Sequence, residues 1–398
     1  MKLPALIRPK ERRGRRVRLV ACLAFVALAA GGLWAARRKP TLRLRSSWET
    51  PFRYKGIVCL AYSPDGEILA VGGRDKTLRL YESETGRPLA RMDTKGWADH
   101  PHFHPDGRTL LVGSLFAGRK AGTFTSRLLR FRLDDGRLLA EAELPPNAYL
   151  HDLALTPDGT TAIVAWNLDR VERWQRFDAT SLEGQEAVHR LENITWPSHP
   201  GSLSRDGETL ALGDRRGLPF DDERSIEVRG LAAGRPPKEI ELASPIIAPM
   251  TWSPDATLVA ALLSTGTGSV GHRRLCLIDP VSSRTRILTE GKFSGFLGTV
   301  IFSTDGRFLA ALRDVSEPIL ETRPIGQIAR DVRAGRFHRQ PGTYEYSEVL
   351  VFDVASGRLR AQFGDHDQDI QKIAISPDGK ALATAGLDGL VRSWVMPE

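Results

Sequence analysis

Histidine is the side chain with the widest chemical reach in this sequence, and its spacing suggests a metal site. His100, His102 and His104 alternate, so a strand over that segment would turn all three imidazoles to one side. Asp99, His151 and His199 each stand five residues before a tetrapeptide of one pattern, His-Pro-Asp-Gly from His104, Thr-Pro-Asp-Gly from Thr156 and Ser-Arg-Asp-Gly from Ser204. Imidazoles grouped with a carboxylate suit zinc or an iron-type ion. His100, His151 and His199 are therefore candidate metal ligands, set against the plainer reading of polar side chains bridged by water. No motif sets a ligand geometry, so no cofactor is expected. The sequence has no phosphate-cradling glycine loop, no HExxH helix and no GxSxG elbow. Residues 266–271 are rich in glycine but precede no helical pattern, and read as a loop.

The tetrapeptides mark the elements that must position these groups. Ser-Pro-Asp-Gly occupies 63–66 and 376–379, with related copies starting at His104, Thr156, Ser204, Ser253 and Ser303. First residues are separated by 41, 52, 48, 49, 50 and 73, a period too regular for chance. An apolar segment stands on each side, as at 57–62 and 68–71. The unit between them is hairpin chemistry: proline presets φ, aspartate bonds the local backbone, and glycine takes positive φ. A third segment places an aromatic five residues before a glycine, as in Tyr81 and Gly86, Phe131 and Gly136, Phe352 and Gly357. A short fourth segment closes each repeat. Four short antiparallel strands per repeat of about 45 residues make one propeller blade.

The pattern resembles the WD40-type β-propeller, and the resemblance covers residues 41–398. It implies an all-β fold of seven blades, with limits near 56–93, 94–144, 145–192, 193–243, 244–290, 291–363 and 364–398. First strands of such a ring line its central channel, which is where His100, His151 and His199 would meet. The family's structural tetrad carries over to blade seven as His366, Thr384, Asp388 and Trp394. Blade one keeps Asp75 and Tyr81 but has Val71 in place of the hydroxyl, and blade five has Ile278 in place of the aromatic. The last repeat stops after its third strand, and 41–45, with alternating Thr41, Leu42, Arg43, Leu44 and Arg45, would supply the fourth. The function implied is a non-enzymatic scaffold that binds protein partners through loops on one face. The alternative is an enzyme, or a ligand or metal sensor, that uses the channel.

Insertions between second and third strands point to the binding face. The longest lies in blade six at 314–346, with Arg323, Arg330, Arg333, Arg336 and Arg339 as a candidate partner-binding loop suited to an acidic partner or a lipid head group. Smaller ones occupy 113–126, 213–224 and 264–274. Variable loops gathered on one side of a rigid repeat scaffold make a binding surface.

Ahead of the repeats, residues 19–36 form an eighteen-residue run without a charge. As a helix it would be about 27 Å long, enough for a thin hydrocarbon core. Eight basic residues precede it and five follow. The expectation is a basic cytoplasmic arm over 1–18, a signal anchor over 19–36, and a single-pass protein with its propeller outside. Cleavage at the small residues 27–29 would instead release a secreted or periplasmic protein, and a buried helix of a soluble protein is the third reading. Net charge is +8, of which +12 falls in residues 1–45, so the remainder carries −4. An average field of that sign does not attract a phosphate backbone, and no nucleic acid is expected as partner. Three cysteines far apart exclude a disulfide framework.

Overall fold

The computed structural model describes residues 41–397, apart from 53–55, 118–122, 170, 192–200, 214–224, 231–235, 245, 247–249, 266–271, 294–299 and 319–342. The anchor at 19–36 and the arm before it, the five blade-six arginines and His199 lie outside the described residues. Among those described, no helix is long and apolar enough to cross a membrane.

Each tetrapeptide closes a hairpin by the same backbone bonds, and the copies that begin with Ser or Thr share their side-chain bonds as well. In blade one, Ser63 Oγ donates to Asp65 Oδ1 at 2.5 Å and accepts the Ile68 N–H at 2.9 Å, while Asp65 Oδ1 accepts the Glu67 N–H at 3.0 Å. Gly66, at φ 78, sends its N–H back to Ser63 O. These bonds hold the Asp65 carboxyl below its usual range, the Ser63 hydroxyl bond first among them. The Ser–Asp pair recurs at Ser204 and Asp206, Ser253 and Asp255, Ser303 and Asp305, and Ser376 and Asp378. Each turn is satisfied locally, so the strands on either side need only a shared apolar face.

Those strands form seven four-stranded antiparallel sheets, six of them with strands in chain order. Blade one is Ile57–Tyr62, Ile68–Gly73, Thr77–Glu82 and Pro88–Asp93; blade three is Tyr149–Leu155, Thr161–Leu168, Val171–Asp178 and Gly184–Leu191. The sheets pack through seven apolar clusters, each shared by two neighbouring blades. Between blades one and two, Leu78 and Leu80 meet Leu110 and Phe131. Between blades seven and one, Ala383 and Val391 meet Ile57 and Val71. A fully buried leucine contributes about 1.5–3 kcal/mol, and the cluster joining last blade to first closes the ring. Closure leaves no open end of the stack.

The closing strand differs in its bounds from 41–45. It runs Arg43–Glu49 and pairs with Leu390–Val395 as the outermost strand of blade seven, from Arg43 opposite Val395 to Glu49 opposite Leu390. A bulge between Leu44 and Ser46 breaks the simple alternation. Leu42 is buried between blades six and seven, but Leu44 is 43% exposed.

Antiparallel order puts the tetrapeptide turns, and those after third strands, on one face, called here the turn face. Connections after second and fourth strands form the opposite loop face. Two expected loops there prove to be partly strand. In blade two, Thr109–Ala117 pairs with Phe124–Arg132, and in blade six Phe308–Pro318 pairs with Thr343–Asp353 along its whole length. The paired strands of these long hairpins run to Ala117 and Phe124 in blade two and to Pro318 and Thr343 in blade six.

Candidate functional site

The four tetrad positions in blade seven come together in one buried chain. Trp394 Nε1–H donates to Thr384 Oγ1 at 3.0 Å, that hydroxyl lies 2.7 Å from His366 Nε2, and His366 Nδ1 lies 3.0 Å from Asp388 Oδ1. Asp388 also accepts the backbone N–H of Asp367 and of Leu390. Burial pulls His366 below its ordinary pKa more than Asp388 lifts it, so the imidazole is neutral. For Asp388 burial pushes upward, but its hydrogen bonds, from His366 first and then from the Leu390 and Asp367 N–H groups, outweigh it and hold the carboxyl low. With no exposed end to this chain, its chemistry is structural: it fixes the entry loop, the second-to-third-strand turn and the third strand to one another. Blade one lacks it. There Asp75 pairs with Arg79 at 2.9 Å and accepts both the N–H and hydroxyl of Thr77.

The channel wall of blades two and three holds the histidines, but not on one regular face. His100 sits at φ 49 in a bulge where Asp99 pairs with Gly113 and His102 with Leu111. The extra residue breaks the period-two alternation expected over 100–104. In three other first strands a register shift falls slightly earlier relative to the tetrapeptide, between Ile57 and Cys59, Leu150 and Asp152, and Ile370 and Lys372. His102 is partly buried, and that burial, with the nearby His100, pushes its pKa down to about 4. His104 belongs to the turn: its Nε2 lies 2.9 Å from Gly159 O, and its Nδ1 accepts the Asp106 N–H.

Carboxylates face the remaining imidazoles. His100 lies 3.9 Å from Asp99 on one ring nitrogen and 3.9 Å from Asp152 on the other, while His151 Nε2 lies 3.8 Å from Glu172 Oε1. Glu172 is fully buried and accepts Trp174 Nε1–H at 2.7 Å. Burial drives its pKa up to about 7; the Trp174 bond opposes this and the charge of Asp152 adds to it. Asp152 is itself raised, by burial first, with His100 pulling down and Asp99 pushing up. The result is a strip of titratable groups along two blades. Among the described residues no group of three or more His, Cys, Asp or Glu is placed to hold a metal ion. His100 and His151 each meet carboxylates in place of converging on a shared point. The thiols of Cys59 and Cys276 are buried and unbridged, and burial pushes Cys276 up to about 12, far from a nucleophile's range.

The loop face carries a feature that spacing along the chain does not reveal. Arg74 stacks on Trp97, with 4.9 Å from guanidinium carbon to ring centre, and Lys76 lies 5.1 Å above the ring of Phe116. Phe124 and Tyr149 meet edge to face beside them, at 6.0 Å. The one sequence signal was a turn with two cations bracketing Asp75; the rings they rest on come from the next blade.

Comparison with known proteins bears on the repeats. The family model described as "WD domain, G-beta repeat" matches residues 49–82 and 357–394, in blade one and blades six and seven. Protein HIR1 of Candida albicans is 28% identical over 207 residues, which is 52% of this chain and 18% of that protein. Eukaryotic translation initiation factor 3 subunit I of Phaeosphaeria nodorum is 45% identical over 49 residues, 12% of this chain and 15% of its own length. Telomerase Cajal body protein 1 of Rattus norvegicus is 41% identical over 59 residues, 15% of this chain and 11% of that protein. The matches thus span less than a fifth of each relative. The seven sheets show a seven-bladed β-propeller, and the family match shows WD40 repeats at residues 49–82 and 357–394.

Proposed function

We propose that this protein is a non-enzymatic scaffold, held at a membrane through residues 19–36, that presents the loop face of its propeller to a protein partner. The observation that carries this reading is the pair of long hairpins in blades two and six, both rising from that face. A rigid ring displaying such hairpins lowers the ordering entropy lost on association. The anchor and the placement of the propeller outside the cytoplasm are supported by the uncharged run and its basic flanks. The blade-six arginines, on the segment joining the longest hairpin, favour an acidic surface. The experiment is affinity purification of the full chain in non-ionic detergent, with and without residues 319–342. The expected outcome is one stoichiometric partner, lost on deletion while the melting temperature of the ring stays within a few degrees. Retention of the same partner after deletion would refute the loop-face assignment. Protease treatment of intact cells tests the topology: the reading expects the propeller to be digested from outside.

A further inference from the structure

The turn joining the second and third strands of blade one runs Gly73, Arg74, Asp75, Lys76. Its acid is already satisfied, because Asp75 is paired to Arg79 and caps Thr77. Arg74 and Lys76 on either side are exposed, and among the described residues neither lies within ion-pair distance of a carboxylate. That sets them apart from Arg45, Arg87, Lys95, Arg127 and Arg132, each of which has a carboxylate partner. Aromatic rings hold them instead. A ring quadrupole attracts a cation and restrains its side chain without neutralising its charge. Both charges are therefore positioned in advance and still available to an anion.

The rings themselves are fixed by pairing. Trp97 opens the first strand of blade two and lies opposite Leu115, whose neighbour is Phe116. Trp97 is 40% exposed, a large apolar surface at the edge of the cation pair. Towards the channel the sign of charge changes. Burial, and then the charge of Asp99, push the Tyr149 hydroxyl pKa upward, and the charge of Arg74 pulls it down. Asp99 and Asp152 both lie beside His100 there, each with an oxygen 3.9 Å from one of its ring nitrogens. An anionic chain would be drawn to the rim and repelled from the channel mouth, so it would lie across the loop face.

We propose that Arg74 and Lys76, seated on Trp97 and Phe116, anchor an acidic stretch of a partner polypeptide, with an apolar side chain of that stretch resting on Trp97. This rests on the scaffold reading and names the chemistry of its partner. A nucleic acid fits less well: its charge repeats at every phosphate, and the strand would meet Asp99 and Asp152 as well as the two cations. Carboxylates spaced along a peptide can match a local pair of cations and avoid the acids.

The test uses the full chain in non-ionic detergent and a short oligoglutamate peptide carrying a benzophenone photocrosslinker, with adducts mapped by mass spectrometry. Adducts are expected at Trp97, Phe116 and their neighbours, alongside adducts on the basic arm at 1–18. R74E/K76E should cut the loop-face adducts about tenfold, since charge reversal adds repulsion to the loss of two exposed pairs, and leave those on the arm. R74Q/K76Q, which adds no repulsion, should weaken them less at an unchanged melting temperature. Adducts confined to the arm, loop-face adducts indifferent to R74E/K76E, or better competition by single-stranded oligothymidylate than by unlabelled oligoglutamate would overturn the proposal. Those results leave the scaffold reading standing if deletion of 319–342 still releases the partner. Loss of that dependence with the adducts intact would instead refute the scaffold reading alone.

Discussion

At the scale of single residues, the energetics lie in buried groups whose protonation or bonding folding dictates. Glu172 rises from its ordinary 4.5 to about 7, so the folded chain keeps a proton that the unfolded chain releases. Its stabilising share is complete below pH 4.5 and is lost as pH rises through 7, a change of up to about 3 kcal/mol. His102, pushed to about 4, runs the other way: stability is lost as pH falls from 6.5 towards 4. The ring should therefore be most stable in weak acid. Glu172→Gln retains an acceptor for Trp174 and removes the alkaline slope, and denaturant titrations at pH 6 and pH 8 should show a smaller difference than in the parent chain. Thr384→Val strips the shared hydroxyl from between His366 Nε2 and Trp394 Nε1. With all three side chains buried, a loss of about 2 kcal/mol or more is expected in urea unfolding. The tetrad positions were readable through the resemblance to the repeat family, which sets their offsets within one repeat. The stacking of Arg74 on Trp97 was not, since partners in neighbouring blades share no local pattern.

At the scale of elements, the hairpin turn is the repeated unit, and one copy violates its own rule. Ala256 occupies the glycine position of the Ser253 turn and is forced to φ 55, where its equivalents Gly66, Gly107, Gly159, Gly207, Gly306 and Gly379 lie at φ 66–78. The turn still forms, held by the Ser253 and Asp255 bonds. Ala256→Gly relieves the Cβ strain and loses part of the gain to chain entropy, leaving a stabilisation of about 0.5–1 kcal/mol. A higher midpoint in thermal melting, with no change in ligand binding, is the expected result. Turns of this kind are legible in sequence because their hydrogen bonds close within six residues. Strand ends are not: the closing strand extends to Glu49 because Leu390–Val395 offers a ladder that long, a property of the partner strand. The His100 bulge was hidden for a related reason, since no residue type there announces a positive φ.

At the scale of the whole ring, seven shared clusters make each blade depend on two neighbours, and the strand Arg43–Glu49 closes the circle by pairing inside blade seven. The number of blades and their order could be read from the tetrapeptide period alone. The loop face was readable as a place of insertion, though not as paired hairpins, because cross-strand pairing over Phe308–Pro318 depends on partners 25 to 45 residues later. The way the circle is sealed also gives the molecule a direction for bearing mechanical load. Arg43 and Val395 lie together at the turn face and Glu49 at the opposite end, so tension between the two chain ends peels six pairs one after another. Tension between residue 41 and a grip on the long blade-two hairpin runs along that strand, and the same six pairs resist it together in shear. With optical tweezers, a handle at Ala117 and one at the N-terminus should hold to higher force than handles at the two termini. A protein pulled at its leading end while its far face is gripped would thus be loaded in its toughest orientation.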